Sequence, residues 1–320
     1  MTQVTITDLK PKLGDFKADV LEGLKASPKK LSPMYFYDQT GSQIFDEICQ
    51  LPEYYPTRTE TAILKEQADI LDETLGNPCV LIEYGSGSSI KIEQLLKNSK
   101  KIATYVPIDI SFEHLKESVH QLAESFPNLP IEAYCANYND PEAIEQITLN
   151  EAHQKTIFFP GSTLGNLETE EAIGLLSNAK KLIGSTGKII LGTDLLKDPD
   201  RLIAAYDDAS GVTARFNLNL LERINREVDH AFDLNNFKHE ARFNSDKKRM
   251  EMHLVARRAH EIEILGTNIK FAEGESIHTE CSHKYNREIL EEICTKVGMS
   301  IEQFLTDKDE DFAVTVLAMK

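Results

Sequence analysis

The sequence predicts an α/β protein built on a doubly wound, Rossmann-like parallel sheet, and two features carry that expectation. Between about Cys79 and Leu195, near-continuous apolar segments alternate with helix-like ones. Such segments suit parallel strands covered on both faces. The chain then closes on a helix-like segment and two strand-like ones, parted only by the polar gap DKDED.

Taken in order, residues 79–84 (CVLIEY) form the first strand and stop at Gly85-Ser86-Gly87. A helix is expected over 90–96, a strand over 105–110, a helix over 111–125 and a strand over 131–136. A short helix at 142–148, a strand at 156–161, a helix at 168–183 and a strand at 188–194 complete the alternation. At the C-terminus, 287–297 reads as a helix, and 301–306 with 312–317 as a hairpin.

Two blocks fall outside this pattern: residues 1 to about 60, rich in Pro and Tyr, and about 200 to 283, a long helical stretch followed by a β-like one from 249 to 277. The expected division is therefore a core of 62–200 plus 285–320 and a second, substrate-binding domain of 1–61 plus 201–284. Ligands of doubly wound sheets sit at the carboxyl edge of the strands, where a second layer can shape a site.

Composition narrows the function classes. A formal charge of −17 over 320 residues repels polyphosphate and anionic lipid surfaces, so neither nucleic acid nor membrane is an expected partner. No apolar run reaches the roughly 18 residues of a membrane span, and the start MTQVTITDLK lacks a signal-peptide layout. The five cysteines are scattered without a C-x-x-C pair, as suits reduced thiols rather than a disulfide framework or zinc knuckle. A cytoplasmic monomer acting on a small molecule, with no metal, is expected.

The chemistry begins at Glu83-Tyr-Gly85-Ser-Gly87. Two glycines allow a sharp turn and close ligand approach, and the helix beyond offers free N–H groups. A Gly-x-Gly turn also serves as a plain strand-to-helix link, so it is not decisive alone. Asp109 ends the next strand, where an acidic side chain in this topology accepts from both ribose hydroxyls. Ile90 stands where a dinucleotide site would carry a third glycine, which favours a nucleoside with a compact amino-acid tail over a pyrophosphate. That is the layout of class I S-adenosylmethionine-dependent methyltransferases, and the antiparallel C-terminal hairpin agrees with it. Asn137 and Tyr138 follow the third strand, where adenine's amino group and ring would be met; an ordinary strand-end Asn and half-buried Tyr read equally well.

Further stretches narrow the reading: LSPMYFYD (31–38), LPEYYPTRTE (51–60), GSTLGNL (161–167), GTDLLKD (192–198), AYDD (205–208) and TECS (279–282). In this order, over nearly the whole chain, they resemble the histidine-specific Nα-methyltransferases of ergothioneine biosynthesis, which convert L-histidine to hercynine. The resemblance implies S-adenosyl-L-methionine as cofactor, with Gly85, Gly87, Lys91 and Asp109 serving it. It implies Tyr54, Asn166 and Tyr206 at the substrate's carboxylate and amine, with Gly161 beside them and Tyr37 near the amine. Tyr37 and Asn166 would act at the reacting nitrogen. Glu280 and Ser282 would take the two imidazole nitrogens, and Phe45 and Met252 would line the ring pocket. The family often carries Asp-Phe where this chain has Asn137-Tyr138. Whether Tyr54 or Tyr55 faces the substrate stays open at this point.

Residue chemistry runs alongside the resemblance. A neutral imidazole offers one donor and one acceptor, so a reader needs an acceptor-only group and a hydroxyl. Glu280 and Ser282, two apart on an extended segment, share a face. The same alternation puts His278 with them but Cys281 and His283 opposite, which disfavours a metal site among these residues. Asn166 is alternatively the N-cap of the 168–183 helix, although Glu168 or Thr169 lies nearer its start, and Asp207-Asp208 is alternatively a solvated face. Asp38, Glu53, Asp207 and Asp208 are expected to give the growing ammonium charge acidic surroundings. Rival activities are methylation of another amino acid, such as a tryptophan derivative, and non-catalytic cofactor sensing.

Overall fold

Val80, Ile82 and Tyr84 of the first expected strand enter one apolar layer with Val106, Ile157 and Leu191, while Cys79 and Leu81 enter another with Tyr105, Phe158 and Ile190. Burial on both faces is the reason CVLIEY shows no alternation. The structure, a computed structural model, describes residues 4–11, 14–87 and 90–320. It falls into two compact units: one takes the chain up to residue 11, Arg58–Leu195 and Tyr285–Lys320, the other Gly14–Thr57 and Leu196–Lys284.

The first unit holds an eight-stranded sheet in the order Val4–Asp8, Ile131–Cys135, Ile102–Asp109, Cys79–Tyr84, Gln154–Phe159, Lys188–Asp194, Phe312–Met319, Met299–Thr306. Neighbours are parallel up to Lys188–Asp194, and Phe312–Met319 runs against both of its neighbours. The chain reverses direction across the sheet between Cys79–Tyr84 and Gln154–Phe159, the point at which such sheets bind ligands. Helices Ile90–Asn98, Phe112–Ser125, Thr169–Ile183 and Arg287–Val297 occupy the expected places.

Three expectations for this unit need correction. Val4–Asp8, expected in the second domain, is an edge strand paired with Ile131–Cys135. Its VTITD sequence is mostly exposed, so it lacks the apolar run that marked the central strands. The helix expected over 142–148 is a single turn, Pro141–Ile144, capped by Asp140, after which bonds such as Ile147 N–H to Ile144 C=O tighten to i+3 spacing. The units also change over at 57/58 and 195/196 rather than at 61/62 and 200/201.

The second unit packs helices Phe16–Lys25, Gln39–Ile48 and Val212–Glu227 with a four-stranded sheet in the order Lys29–Lys30, Ser276–His283, Arg249–Ala256, Phe237–Asn244. Its core joins Phe36, stacked on Phe216 at 4.6 Å, to Leu220, Met252, Leu254 and Ile277. A separate hairpin pairs His260–Ile264 with Thr267–Phe271. Strand structure here begins before 249 and ends after 277, because half-buried strands such as FKHEARFN carry charged residues that resemble loop sequence. No disulfide joins the five cysteines. Among the described residues no helix is long and apolar enough to cross a membrane.

Candidate active site

In the sheet unit, Cys79–Tyr84 ends on Gly85 at φ 72, a left-handed conformation that explains the glycine. Ser88 and Ser89, where the helix N-terminus was expected to offer N–H groups, lie outside the described residues. Tyr138 stacks on Tyr84 with ring centroids 5.1 Å apart and lies close to Gly85. Asn137 Oδ1 accepts from Asn139 N–H at 3.0 Å. Asp109 Oδ1 accepts from Ser111 N–H at 2.9 Å, and burial raises its carboxyl above the usual range. Glu83 receives the Tyr105 hydroxyl, and burial pushes it up to about 8 against the pull of Tyr105 and Lys91.

Across the reversal point, Gly161 adopts φ 83 and leads into the 3-10 turn Thr163–Asn166. Its N–H donates to both oxygens of Glu60 at 3.1 and 3.0 Å. Glu60 is fully buried and pairs with Lys91 Nζ at 2.6 Å. Gly161, Lys91 and Glu60 thus form one linked group at the carboxyl edge of the sheet.

In the second unit, Tyr37, Phe45, Tyr54 and Tyr206 form a chain of edge-on rings: Tyr37 to Phe45 at 5.7 Å, Phe45 to Tyr54 at 6.2 Å and Tyr54 to Tyr206 at 6.5 Å. Tyr54's hydroxyl is raised well above its usual value, first by burial and then by Tyr206, Cys49, Tyr37 and Glu280. Tyr55 is turned elsewhere, its hydroxyl accepting from Lys197 Nζ at 2.6 Å. Tyr54 is therefore the member of the pair that joins Phe45 and Tyr206.

Glu280 lies opposite Met252 in register, and Ser282 opposite Met250. Both are buried, and burial pushes Glu280 up to about 7 although Lys284 pulls it down. Ser282 Oγ accepts from Tyr206 Oη at 2.9 Å and from Lys284 Nζ at 2.9 Å. Lys284 Nζ also donates to Tyr206 Oη at 2.9 Å. The group offers a carboxylate, a hydroxyl and aromatic walls, which is what a small ring with two nitrogens requires.

Comparison with known proteins decides the family. The description "Histidine-specific methyltransferase, SAM-dependent" matches residues 16–319. The chain belongs to this family. It is 37% identical to the histidine N-alpha-methyltransferase of Mycolicibacterium smegmatis, with 94% of each chain covered, and 35% identical, at the same coverage, to the protein of that name from Mycobacterium tuberculosis. The fold resembles the mitomycin 7-O-methyltransferase MmcR, with TM-score 0.50, 8% identity and coverage of 97% of this chain and 70% of that one. A Rossmann-like methyltransferase fold and dependence on S-adenosylmethionine follow from the family and this likeness.

Within this histidine-specific methyltransferase, several expected residues stand differently from what their spacing implied. The strand register shifts between His278 and Glu280, so Thr279 is a bulge residue. His278 consequently faces His253, their rings 5.1 Å apart, while Glu280 and Ser282 face the other side with Met252 and Met250. Simple alternation had grouped His278 with Glu280. Asn166 ends the 3-10 turn rather than capping the following helix, whose cap is a Glu168–Glu171 capping box. The acidic surroundings expected for the substrate amine are partly committed elsewhere. Asp38 caps Gln39–Ile48 and pairs with Arg226, and Asp208 accepts from the Val212 and Thr213 N–H groups at the start of Val212–Glu227.

Other residues around the site were given no role from the sequence. Thr279 Oγ1 donates to Asn217 Oδ1 at 2.9 Å, Asn217 Nδ2 lies 2.8 Å from His239 Nδ1, and His239 Nε2 lies 2.8 Å from the Tyr206 carbonyl. This relay ties the bulge to the backbone of Tyr206. His239 is held below the usual histidine range by burial, so the neutral ring that can accept from Asn217 and donate to Tyr206 is the favoured form. Glu60, at the end of LPEYYPTRTE, and Lys284, just beyond a buried strand, were given no role from the sequence either.

Proposed function

We propose that this protein transfers methyl groups to the α-amino nitrogen of L-histidine, three in succession, yielding Nα,Nα,Nα-trimethylhistidine (hercynine). The observation that carries this reading is the buried set Glu280, Ser282 and Lys284 beside Met252, hydrogen-bonded to the half-buried Tyr206, with Tyr54 and Phe45 in the adjoining ring chain. Glu280 accepts the ring N–H, Ser282 meets the second ring nitrogen, and Met252 and Phe45 give the ring apolar walls. Tyr54, Tyr206, Asn166 and Gly161 serve the carboxylate and amine, and Tyr37 and Asn166 stand at the reacting nitrogen. The sheet unit takes the cofactor and the second unit the amino acid.

The Gly85 cradle, where a side chain would meet only Tyr138 at 3.9 Å, and the buried Asp109 carboxyl suit a nucleoside. Gly85 and Gly87 would let its backbone approach, Asp109 would take the ribose, Asn137 and Tyr138 the adenine, and Lys91 the amino-acid tail. S-adenosylmethionine, when bound, supplies a methyl group on an already activated sulfur. The residues therefore have only to hold a neutral amine at attacking distance and angle, and no strong base is needed. An α-amine has a pKa of about 8 in peptides and a somewhat higher one in a free amino acid, and a nearby sulfonium charge would favour its neutral form. Anchors at the carboxylate and at the ring leave the amine between them, free to present a fresh lone pair in each round.

Mass spectrometry of the protein with L-histidine and excess S-adenosylmethionine tests the reading. Conversion through mono- and dimethyl forms to a quaternary Nα product is expected. A monomethyl end product, or methylation on a ring nitrogen, overturns it.

A further inference from the structure

We propose that Lys284 is a positioning residue that sets the direction of hydrogen bonding around the ring-reading site, forcing Ser282 to donate to the substrate and so selecting one neutral tautomer of the histidine ring. This deepens the reading above and rests on Glu280 and Ser282 as the ring contacts.

Lys284 is only 1% exposed, an unusual place for an ammonium. Its Nζ lies 2.9 Å from both Tyr206 Oη and Ser282 Oγ and 4.6 Å from the centre of the Tyr206 ring. An ammonium has donors and no acceptor, so both hydroxyl oxygens must receive from it. Tyr206, accepting from Lys284, points its own proton at Ser282, 2.9 Å away. Ser282 Oγ then accepts from Lys284 and from Tyr206. A serine hydroxyl has two lone pairs and one proton, and the proton is what remains for a ligand.

The polarity of the site follows from one buried charge. On one side stands Glu280, which accepts when ionised; on the same strand face, two residues on, stands a hydroxyl that can only donate. A neutral imidazole with its N–H toward Glu280 and its bare nitrogen toward Ser282 satisfies both. An imidazolium would set a second N–H against the Ser282 proton beside a buried ammonium. Without Lys284, the Ser282 and Tyr206 hydroxyls could rotate into the opposite sense, and a ring lacking the bare nitrogen would be met almost as well. Lys284 thus selects the ring without touching it, because it removes the hydroxyls' freedom to adapt.

Two measurements test the role. The first is nitrogen NMR of ring-15N-labelled L-histidine bound to the unaltered protein with S-adenosylhomocysteine. A single neutral tautomer, one protonated and one hydrogen-bonded bare nitrogen, is expected; an imidazolium or an averaged pair of tautomers overturns the proposal. The second compares histidine with the two β-pyrrolylalanines, each of which keeps a ring N–H but lacks the bare nitrogen. In the unaltered protein the better pyrrole should bind about tenfold more weakly than histidine, the loss of one hydrogen bond. In Lys284→Met the gap should narrow to about twofold, since Ser282 is freed to turn. Circular dichroism and S-adenosylhomocysteine binding report whether that variant folds; if it does not, the NMR result on the unaltered protein decides. A gap that stays tenfold in folded Lys284→Met, while Glu280→Ala and Ser282→Ala weaken histidine, overturns the role of Lys284 alone. Histidine binding untouched by Glu280→Ala and Ser282→Ala overturns the underlying ring reading as well.

Discussion

Two buried glutamates, one in each unit, are answered by different chemistry. Glu83 receives the Tyr105 hydroxyl and is pushed by burial up to about 8. Lys91, whose charge pulls Glu83 down, is engaged by Glu60 at 2.6 Å, and Asp109 and Glu60 add repulsion. Glu280 is pushed by burial only to about 7, because Lys284 stands as a counter-charge. Glu83 is answered by a hydrogen bond from a neutral hydroxyl, whereas what offsets burial at Glu280 is the charge of Lys284. The lesson concerns the two kinds of recognition. In the proposed reading the sheet unit meets its ligand with backbone turns and one half-buried carboxylate, Asp109, at the end of a strand. The second unit has to build a specific polarity out of buried groups.

The sharpest way to break that comparison is to disable each half and ask whether the other notices. Asp109→Ala removes charge-assisted bonds worth about 1.5–3 kcal/mol and should weaken S-adenosylmethionine at least about tenfold in a folded protein. Unchanged affinity by calorimetry would displace Asp109 from the ribose. Glu280→Ala should instead cut histidine affinity by about 1–3 kcal/mol, the penalty for a ring N–H without its acceptor, and narrow histidine's lead over aromatic amino acids. S-adenosylhomocysteine binding should be unaffected, and an undiminished preference for histidine would show that this strand does not read the ring.

A subtler perturbation sits at the bulge. Thr279→Val keeps the shape but strips the hydroxyl that donates to Asn217 Oδ1. Stability should fall by on the order of 1 kcal/mol, with histidine binding weakened as well because the relay to Tyr206 loosens. A loss of stability with histidine affinity intact would confine the relay to a structural role.

The smallest effect is the pH dependence of stability, and here the units differ in sign. Glu83 is raised in the folded state, so its contribution is present below the ordinary glutamate pKa and is lost as pH climbs toward about 8. His253 is lowered to about 4, chiefly by burial, so its contribution is present above about 6.5 and is lost as pH falls toward 4. His239 shifts in the same direction as His253, while raised Glu280 offsets part of their loss. Between pH 7 and 5 the second unit should therefore lose on the order of 1 kcal/mol relative to the sheet unit, read by hydrogen exchange resolved along the chain. Glu280→Gln should enlarge the difference. Equal acid responses in the two units would sink the assignment of these shifts.

Much of this protein is determined by local pattern. Apolar runs closed by glycine turns and spaced by amphipathic helices specify a parallel sheet, because strands buried on both faces are mostly apolar, and the Gly85 turn and Asp109 fall at its carboxyl edge wherever that pattern holds. The family motifs also named Tyr54, Tyr206, Glu280 and Ser282, and the structure places these four in one unit. Tertiary structure alone decided the rest. VTITD became an edge strand because a partner, not its own sequence, supplied the pairing. Thr279 became a bulge because Asn217 and the Met252 carbonyl hold its hydroxyl, which sends Glu280 to the face opposite His278. Tyr54 was separated from Tyr55 by Lys197, and Lys91 was engaged by Glu60. Register, bulges and buried charge pairs depend on residues far away along the chain, and a side chain's face in a strand reverses with a single inserted residue. Residue identity therefore announced which groups could do the chemistry, while the direction in which each points was settled only once distant strands had paired.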